Sequence, residues 1–184
     1  MLRELVRSLL ASLVVVSSFA ACTTEVGEGE GEESVGSVAQ KVVNGYTSWT
    51  SEEFPPLVCD GASLIDEMNC SGSNCDNMRA YCTPSGGTRG SSTWTSYFSE
   101  EGTNYRYCGA NQWVTSIACT GGYCDNISLL CTTISGVTPR DCHWTGWMSE
   151  ENGGALYFGF HYFMRGAQCS GSNCDNLRYY VCTI

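Results

Sequence analysis

The sequence predicts an all-β domain of threefold internal repetition, either a β-prism or a β-trefoil. Three observations carry this prediction. One signature recurs three times between residues 41 and 184. Outside the first two dozen residues no window of about a dozen keeps a 3.6-residue apolar period, so long helices are excluded. Turn residues return about every 8–12 positions, the spacing of chains made of short strands.

The chain has 184 residues, with 13 Cys, 21 Gly and 15% charged residues. That cysteine content points to an oxidising compartment and a disulfide-stapled fold, not to a cytosolic enzyme. Nineteen acidic residues against nine basic give a net charge of −10. No basic run offers a phosphate backbone its counter-charge, which excludes nucleic acid as a partner.

Residues 1–21 have a basic start, an apolar stretch from Leu9 to Val16, and small residues before Cys22. This is the layout of a signal peptide, and its apolar run is too short to span a bilayer. The segment Phe19-Ala20-Ala21-Cys22 resembles the lipobox of bacterial lipoproteins, which implies that Cys22 becomes an acylated first residue. An ordinary cut after small residues is the alternative. Removing Cys22 leaves twelve cysteines, an even number, all at or beyond residue 59. Residues 22–40 interleave Glu25, Glu28, Glu30, Glu32 and Glu33 with Gly and contain no aromatic residue. Such a segment cannot bury enough surface to offset its chain entropy and reads as a solvated tether. The expected organisation is therefore signal peptide 1–21, tether 22–40 and folded domain 41–184.

The first half of the repeated signature is aromatic-Thr-small-aromatic-x-Ser-Glu-Glu, with x any residue. It starts at Tyr46, Trp94 and Trp144, spaced 48 and 50 residues apart. The second half is Cys-x-Gly-x-x-Cys-Asp-Asn plus an apolar residue, starting at Cys70, Cys119 and Cys169, at spacings of 49 and 50. Units this small cannot each bury a core, so the three form one domain. Within a unit, Trp113-Val114-Thr115-Ser116-Ile117-Ala118 alternates, the Gly-containing hexapeptide turns, and Ile127-Ser128-Leu129-Leu130 returns, which predicts a hairpin.

These residues resemble the vitelline membrane outer layer protein family over about residues 44–184. The resemblance rests on Trp144-Thr145-Gly146-Trp147, Cys108-Gly109, Trp113-Val114-Thr115-Ser116-Ile117, and strands such as Asn77-Met78-Arg79-Ala80-Tyr81-Cys82 and Asn176-Leu177-Arg178-Tyr179-Tyr180. It implies a disulfide-rich threefold β-prism of three Greek-key repeats. The acidic loop of that family is here replaced by the shorter Cys-x-Gly-x-x-Cys-Asp-Asn turn.

Placed across a hairpin, Cys70 and Cys75 would lie about 4.5–5.5 Å apart at Cα, within bridging range. The expected short bridges are Cys70–Cys75, Cys119–Cys124 and Cys169–Cys174. Zinc is the rival, but the four-residue spacing and the absence of a repeated His argue against it, so no metal-ligand set is assigned. Cys59 and Cys108 each precede their hairpin by 11 residues, whereas the third copy has Phe158 there and an extra Cys142. The expected long bridges are Cys59–Cys82, Cys108–Cys131 and Cys142–Cys182.

His143 and His161 form no metal spacing, and no nucleophile elbow or phosphate loop is present. Glu52/Glu53, Glu100/Glu101 and Glu150/Glu151 could serve as a glycosidase pair. As neighbours on a strand, however, they would point to opposite faces. Asp76-Asn77, Asp125-Asn126 and Asp175-Asn176, with Tyr123, are the candidate ligand-binding residues. Their amides and carboxylates suit sugar hydroxyls or Ca²⁺, and as turn formers they also suit hairpin tips. The repeated Tyr46, Trp49, Trp94, Tyr97, Trp144 and Trp147 read as core. Tyr123, Tyr157, Tyr162, Tyr179 and Tyr180 are the candidates for exposed stacking.

The functional expectation is an exported, lipid-anchored protein of the cell surface or outer membrane. Its lectin-like domain binds extracellular glycan or envelope polymer without transforming it, with no cofactor beyond a possible Ca²⁺. A structural envelope or matrix protein and a glycan-acting enzyme are the alternatives.

Overall fold

The computed structural model describes residues 39–184. The signal-peptide segment, Cys22 and the tether up to residue 38 lie outside the described residues. What is described is all-β. The first repeat holds β1 (Lys41–Val42), β2 (Gly45–Tyr46), β3 (Leu57–Cys59), β4 (Ser63–Ser71) and β5 (Asn77–Pro84). The second holds β6 (Thr88–Trp94), β7 (Tyr105–Tyr107), β8 (Gln112–Thr120) and β9 (Asn126–Ser135). The third holds β10 (Arg140–Trp144), β11 (Ala155–Tyr157), β12 (Tyr162–Ser170) and β13 (Asn176–Thr183).

The three long antiparallel hairpins are the predicted ones: β4–β5, β8–β9 and β12–β13. Each carries a register shift at the same place in the repeat, at Asp66, Thr115 and Arg165. One extra residue there bends the strand and restores the inward alternation behind it.

The strands assemble into three sheets, ordered β1-β3-β8-β9-β6, β10-β13-β12-β7 and β11-β4-β5-β2. In each, the second strand of the long hairpin (β5, β9 or β13) lies between the first (β4, β8 or β12) and an outer strand of its own repeat (β2, β6 or β10), and β1 adds a parallel edge beside β3. The strand on the other side of the first hairpin strand always comes from the preceding repeat. Thus β3 of repeat one pairs with β8 of repeat two, β7 of repeat two with β12 of repeat three, and β11 of repeat three with β4 of repeat one. The exchange closes in a ring. These donated strands are three residues long, too short to stand alone, and are fixed by the partner repeat's ladder. The sheets are named below B (β11-β4-β5-β2), A (β1-β3-β8-β9-β6) and C (β10-β13-β12-β7).

The core lies between the sheets. One cluster gathers threefold-equivalent positions such as Met78, Ile127 and Leu177, and Met68, Ile117 and Ala167. A second, smaller cluster joins another equivalent set, Leu64, Trp113 and Phe163, with Ile134 and Cys182. The Trp113 and Phe163 rings meet edge to face at 6.3 Å, an arrangement that suits the aromatic quadrupoles.

All six disulfides are those expected from the cysteine spacing. Cys59–Cys82 and Cys108–Cys131 are buried equivalents, and the corresponding third-repeat positions, Phe158 and Val181, are buried without a bridge. That repeat instead ties β10 to β13 through Cys142–Cys182. The short bridges differ from expectation in placement, since the residue opposite Cys70 is Met78, not Cys75. Cys75 sits inside the tip, in the left-handed region at φ 55°, so each short bridge closes the turn upon its own strand.

Candidate functional site

The three hairpin tips come together at one end of the domain, each touching the other two. The Asp76 carbonyl oxygen lies 3.0 Å from Cys124 Sγ, and that of Asp125 lies 3.1 Å from Cys174 Sγ. The candidate Asp-Asn pairs sit here, half-buried and bonded to themselves. Asn77 Nδ2 donates to Asp76 Oδ1 at 2.6 Å, Asn126 to Asp125 at 2.5 Å, and Asn176 to Asp175 at 2.6 Å. The carboxylate folds over the turn glycine so closely that a Cβ on Gly72 would lie 2.0 Å from Asp76 Oδ1. Gly72 also has φ +79°, so glycine is required there twice over. Tyr123 occupies a left-handed tip position and is 47% exposed.

The repeated glutamates do not lie on strands; they occupy turns, which removes the opposite-face argument made from sequence. The first Glu of each pair reaches the tip of the next repeat around the ring. Glu52 accepts from the Tyr123 N–H at 3.4 Å, Glu100 from the Asn173 N–H at 2.6 Å, and Glu150 from the Asn74 N–H at 2.9 Å. Each thereby satisfies a tip amide that the 3-10 turn leaves without a partner. The threefold recurrence of Ser-Glu-Glu has a structural cause.

The aromatic-Thr segment preceding each glutamate is a strap laid along the last strand of its own repeat. Thr47, Thr95 and Thr145 accept through Oγ1 from the N–H of Ala80, Leu129 and Tyr179, at 3.1, 3.0 and 3.0 Å. Their own N–H groups donate back to the carbonyls of the same three residues. The strap turns its aromatic residues outward. This corrects the core reading, because Trp49, Trp94 and Trp147 are 38%, 42% and 40% exposed, and Tyr46 and Tyr97 are also exposed. Tyr179, expected at the surface, is fully buried against Phe158, and burial pushes its phenol pKa strongly upward. The alternation of β13 explains both facts, since placing Arg178 and Tyr180 outside puts Tyr179 inside.

On sheet C the outward face forms a cleft of about 500 Å³ lined by Tyr105, Tyr107, Trp144, Gln168 and Tyr180. At its edge, the Arg178 guanidinium lies 5.2 Å from the Trp144 ring and 4.6 Å from the Trp147 ring. Gln168 accepts from Arg178 Nε at 2.8 Å and fixes the guanidinium's rotation. Tyr105 and Tyr107 stack at 6.1 Å with planes 3° apart on the opposite side, on the strand donated by repeat two. Flat rings flanking a held guanidinium, with an amide between them, offer apolar stacking surface and directed donors together.

Sheet B repeats this arrangement. Arg79 lies 4.4 Å from the Tyr46 ring and 4.6 Å from the Trp49 ring, with Tyr81 against Tyr46 and Tyr157 exposed on the donated strand. Glu67 replaces Gly166, and its Oε1 accepts from Tyr46 Oη at 2.7 Å and Asn69 Nδ2 at 2.8 Å. That bond to Glu67 raises the Tyr46 pKa, with burial adding to it. Asn69 is thus turned away from Arg79, whose Nε is buried without a partner. On sheet A the equivalent residue is Ser128, which donates to the Thr95 carbonyl instead. The strap of sheet A stays in place without an arginine, so the fold does not require the arginine clamp.

At the bulges, Asp66 accepts from Thr83 Oγ1 at 2.7 Å while its Oδ1 is buried and unpartnered, and burial raises its pKa. Arg165 donates to the carbonyls of Gln112 and Cys108, and burial lowers its pKa. No family model, curated protein or solved structure matches this chain.

Proposed function

We propose that this chain is an exported surface lipoprotein, anchored through Cys22 and held off the membrane by its Glu/Gly-rich tether, whose folded domain binds extracellular glycan without transforming it. The domain is a threefold β-prism, as the resemblance to vitelline membrane outer layer proteins implies. Support for the prism over a trefoil comes from three separate sheets linked in a ring by the donated strands β3, β7 and β11.

The observation that carries the glycan reading is the cleft of sheet C, where Trp144, Trp147, Tyr105 and Tyr107 flank Arg178 and Gln168. Exposed rings of this size on a monomer cost solubility, and here they line a concavity equipped with fixed polar groups. The tips support the reading less well, because their Asp-Asn pairs are bonded internally. The first glutamate of each pair that might have served as acid and base, Glu52, Glu100 and Glu150, is engaged as a tip acceptor.

A glycan array of neutral and acidic oligosaccharides, probed with and without Ca²⁺, tests the function. Weaker binding of at least one oligosaccharide in Trp144→Ala and, by about tenfold, in Arg178→Gln, with binding kept in Asn176→Ala, is the expected result. A blank array at high protein concentration would move the assignment to a structural envelope protein. Mass analysis of the mature N-terminus tests the anchor, with a lipid increment on Cys22 expected and an unmodified start elsewhere refuting it.

A further inference from the structure

We infer that sheet B carries a second saccharide site, selective for neutral sugars, so that one molecule holds two glycan segments at once; this rests on the glycan reading of sheet C. The two faces share their framework position by position. Arg79 stands for Arg178, Trp49 for Trp147, Tyr46 for Trp144, Tyr81 for Tyr180 and Tyr157 for Tyr107, and both guanidinium groups are held between two rings within 5.2 Å. Shared ancestry of the repeats alone does not account for this. Sheet A descends from the same unit, keeps Trp94 and Tyr97 exposed, and has Ser128 and Leu130 where the arginine and the inner tyrosine would stand. The clamp is present on two faces and absent on the third, which folds without it.

The faces differ in what they ask of a ligand. Among the described residues, the cleft of sheet C is lined by no carboxylate. On sheet B, Glu67 and Arg79 both touch Tyr46, one through its hydroxyl and the other over its ring. A carboxylate and a guanidinium gathered about one ring present an acceptor and a donor on the same face, which matches neighbouring sugar hydroxyls, each able both to donate and to accept. It also repels a uronic or sialic carboxylate. Both hydrogen bonds made to Glu67 fall on Oε1, leaving Oε2 to accept.

Titration calorimetry with cello-, manno- and xylohexaose decides this, using the whole domain and variants whose folding is checked by circular dichroism. Trp147→Ala, which disables sheet C, should retain binding of at least one neutral hexasaccharide within about threefold of the wild-type affinity, with fewer sites per molecule. Adding Trp49→Ala should abolish it. The isosteric Glu67→Gln, in the Trp147→Ala background, should weaken it about tenfold, the loss of one charged acceptor. Complete loss of neutral-sugar binding in Trp147→Ala alone would overturn the second site and leave the glycan reading of sheet C intact. Wild-type binding restricted to acidic sugars, or unchanged affinity in Glu67→Gln, would equally overturn it. A blank array for the wild type would remove the glycan reading and this inference with it.

Discussion

Glu100 of the second repeat accepts a hydrogen bond from the backbone N–H of Asn173 in the third repeat at 2.6 Å. Its counterparts Glu150 and Glu52 make the same bond at 2.9 and 3.4 Å. Hydrogen bonds to a charged acceptor contribute about 1.5–3 kcal/mol when protected and less where water competes. Replacement by Ala should therefore destabilise in the order Glu100, Glu150, Glu52, with Glu100→Ala costing about 1–2 kcal/mol and the more exposed Glu52 least. Chemical denaturation of the three single variants measures this. A reversed order would sever the link between bond length and stability.

The disulfides should rank by the chain they enclose. Closing a longer loop removes more entropy from the unfolded state. Cys142–Cys182 spans 40 residues, Cys59–Cys82 and Cys108–Cys131 span 23, and each short bridge spans 5. Paired Cys→Ala variants should lose about 4, 3.5 and 2 kcal/mol respectively on the chain-entropy account. Calorimetric melting under non-reducing conditions tests the ranking.

Asp66 supplies a pH signature. Burial raises its pKa above the ordinary 3.8, so the native state holds the proton more tightly than the unfolded chain. Stability then declines as pH rises from the ordinary carboxylate value through the raised native one, and is flat beyond. Asp66→Asn keeps an acceptor for Thr83 and removes that penalty. It should raise unfolding free energy at pH 7 by less than about 1 kcal/mol, since water screens the half-exposed side, and by nothing at pH 3. An equal gain at both pH values would assign the effect to packing.

Arg178→Gln separates binding from folding. Sheet A keeps its strap without an arginine, so the variant should melt within about 1 kcal/mol of wild type. Its glycan affinity should fall about tenfold through loss of the charge-assisted donor. A stability loss above 2 kcal/mol with unchanged affinity would make the clamp purely structural.

Trp113→Ala should be the costliest single truncation, at about 3–5 kcal/mol, because the indole is fully buried between Leu64 and Phe163 in the smaller core cluster. Equilibrium denaturation provides the measurement.

The hairpins and all six disulfides were legible because they are written locally: alternation, a glycine turn and cysteine spacing act within two to four dozen residues. The donated strands were not, since Tyr105–Tyr107 and Ala155–Tyr157 are too short to show a period and owe their conformation to another repeat. The outward aromatics were misread because repetition was taken for burial. A signal did exist. Asn77-Met78-Arg79 and Asn176-Leu177-Arg178 place an arginine one step beyond an inward residue, facing the strap, while Asn126-Ile127-Ser128 does not. The glutamates were misplaced for a related reason: only the ring of exchanged contacts shows what a turn carboxylate reaches.

The ring of exchanged strands also fixes the order in which the molecule can be completed. Every disulfide lies within one repeat, so covalent closure of each third needs nothing from the others. No sheet but A, by contrast, is whole until β11 and the β12–β13 hairpin exist, for β4 waits on β11 and β7 on β12. A chain that stops after the second repeat would be correctly bridged and still show two open edges to its surroundings. The last fifty residues act as the clasp of the whole, which makes this domain indivisible despite its threefold text.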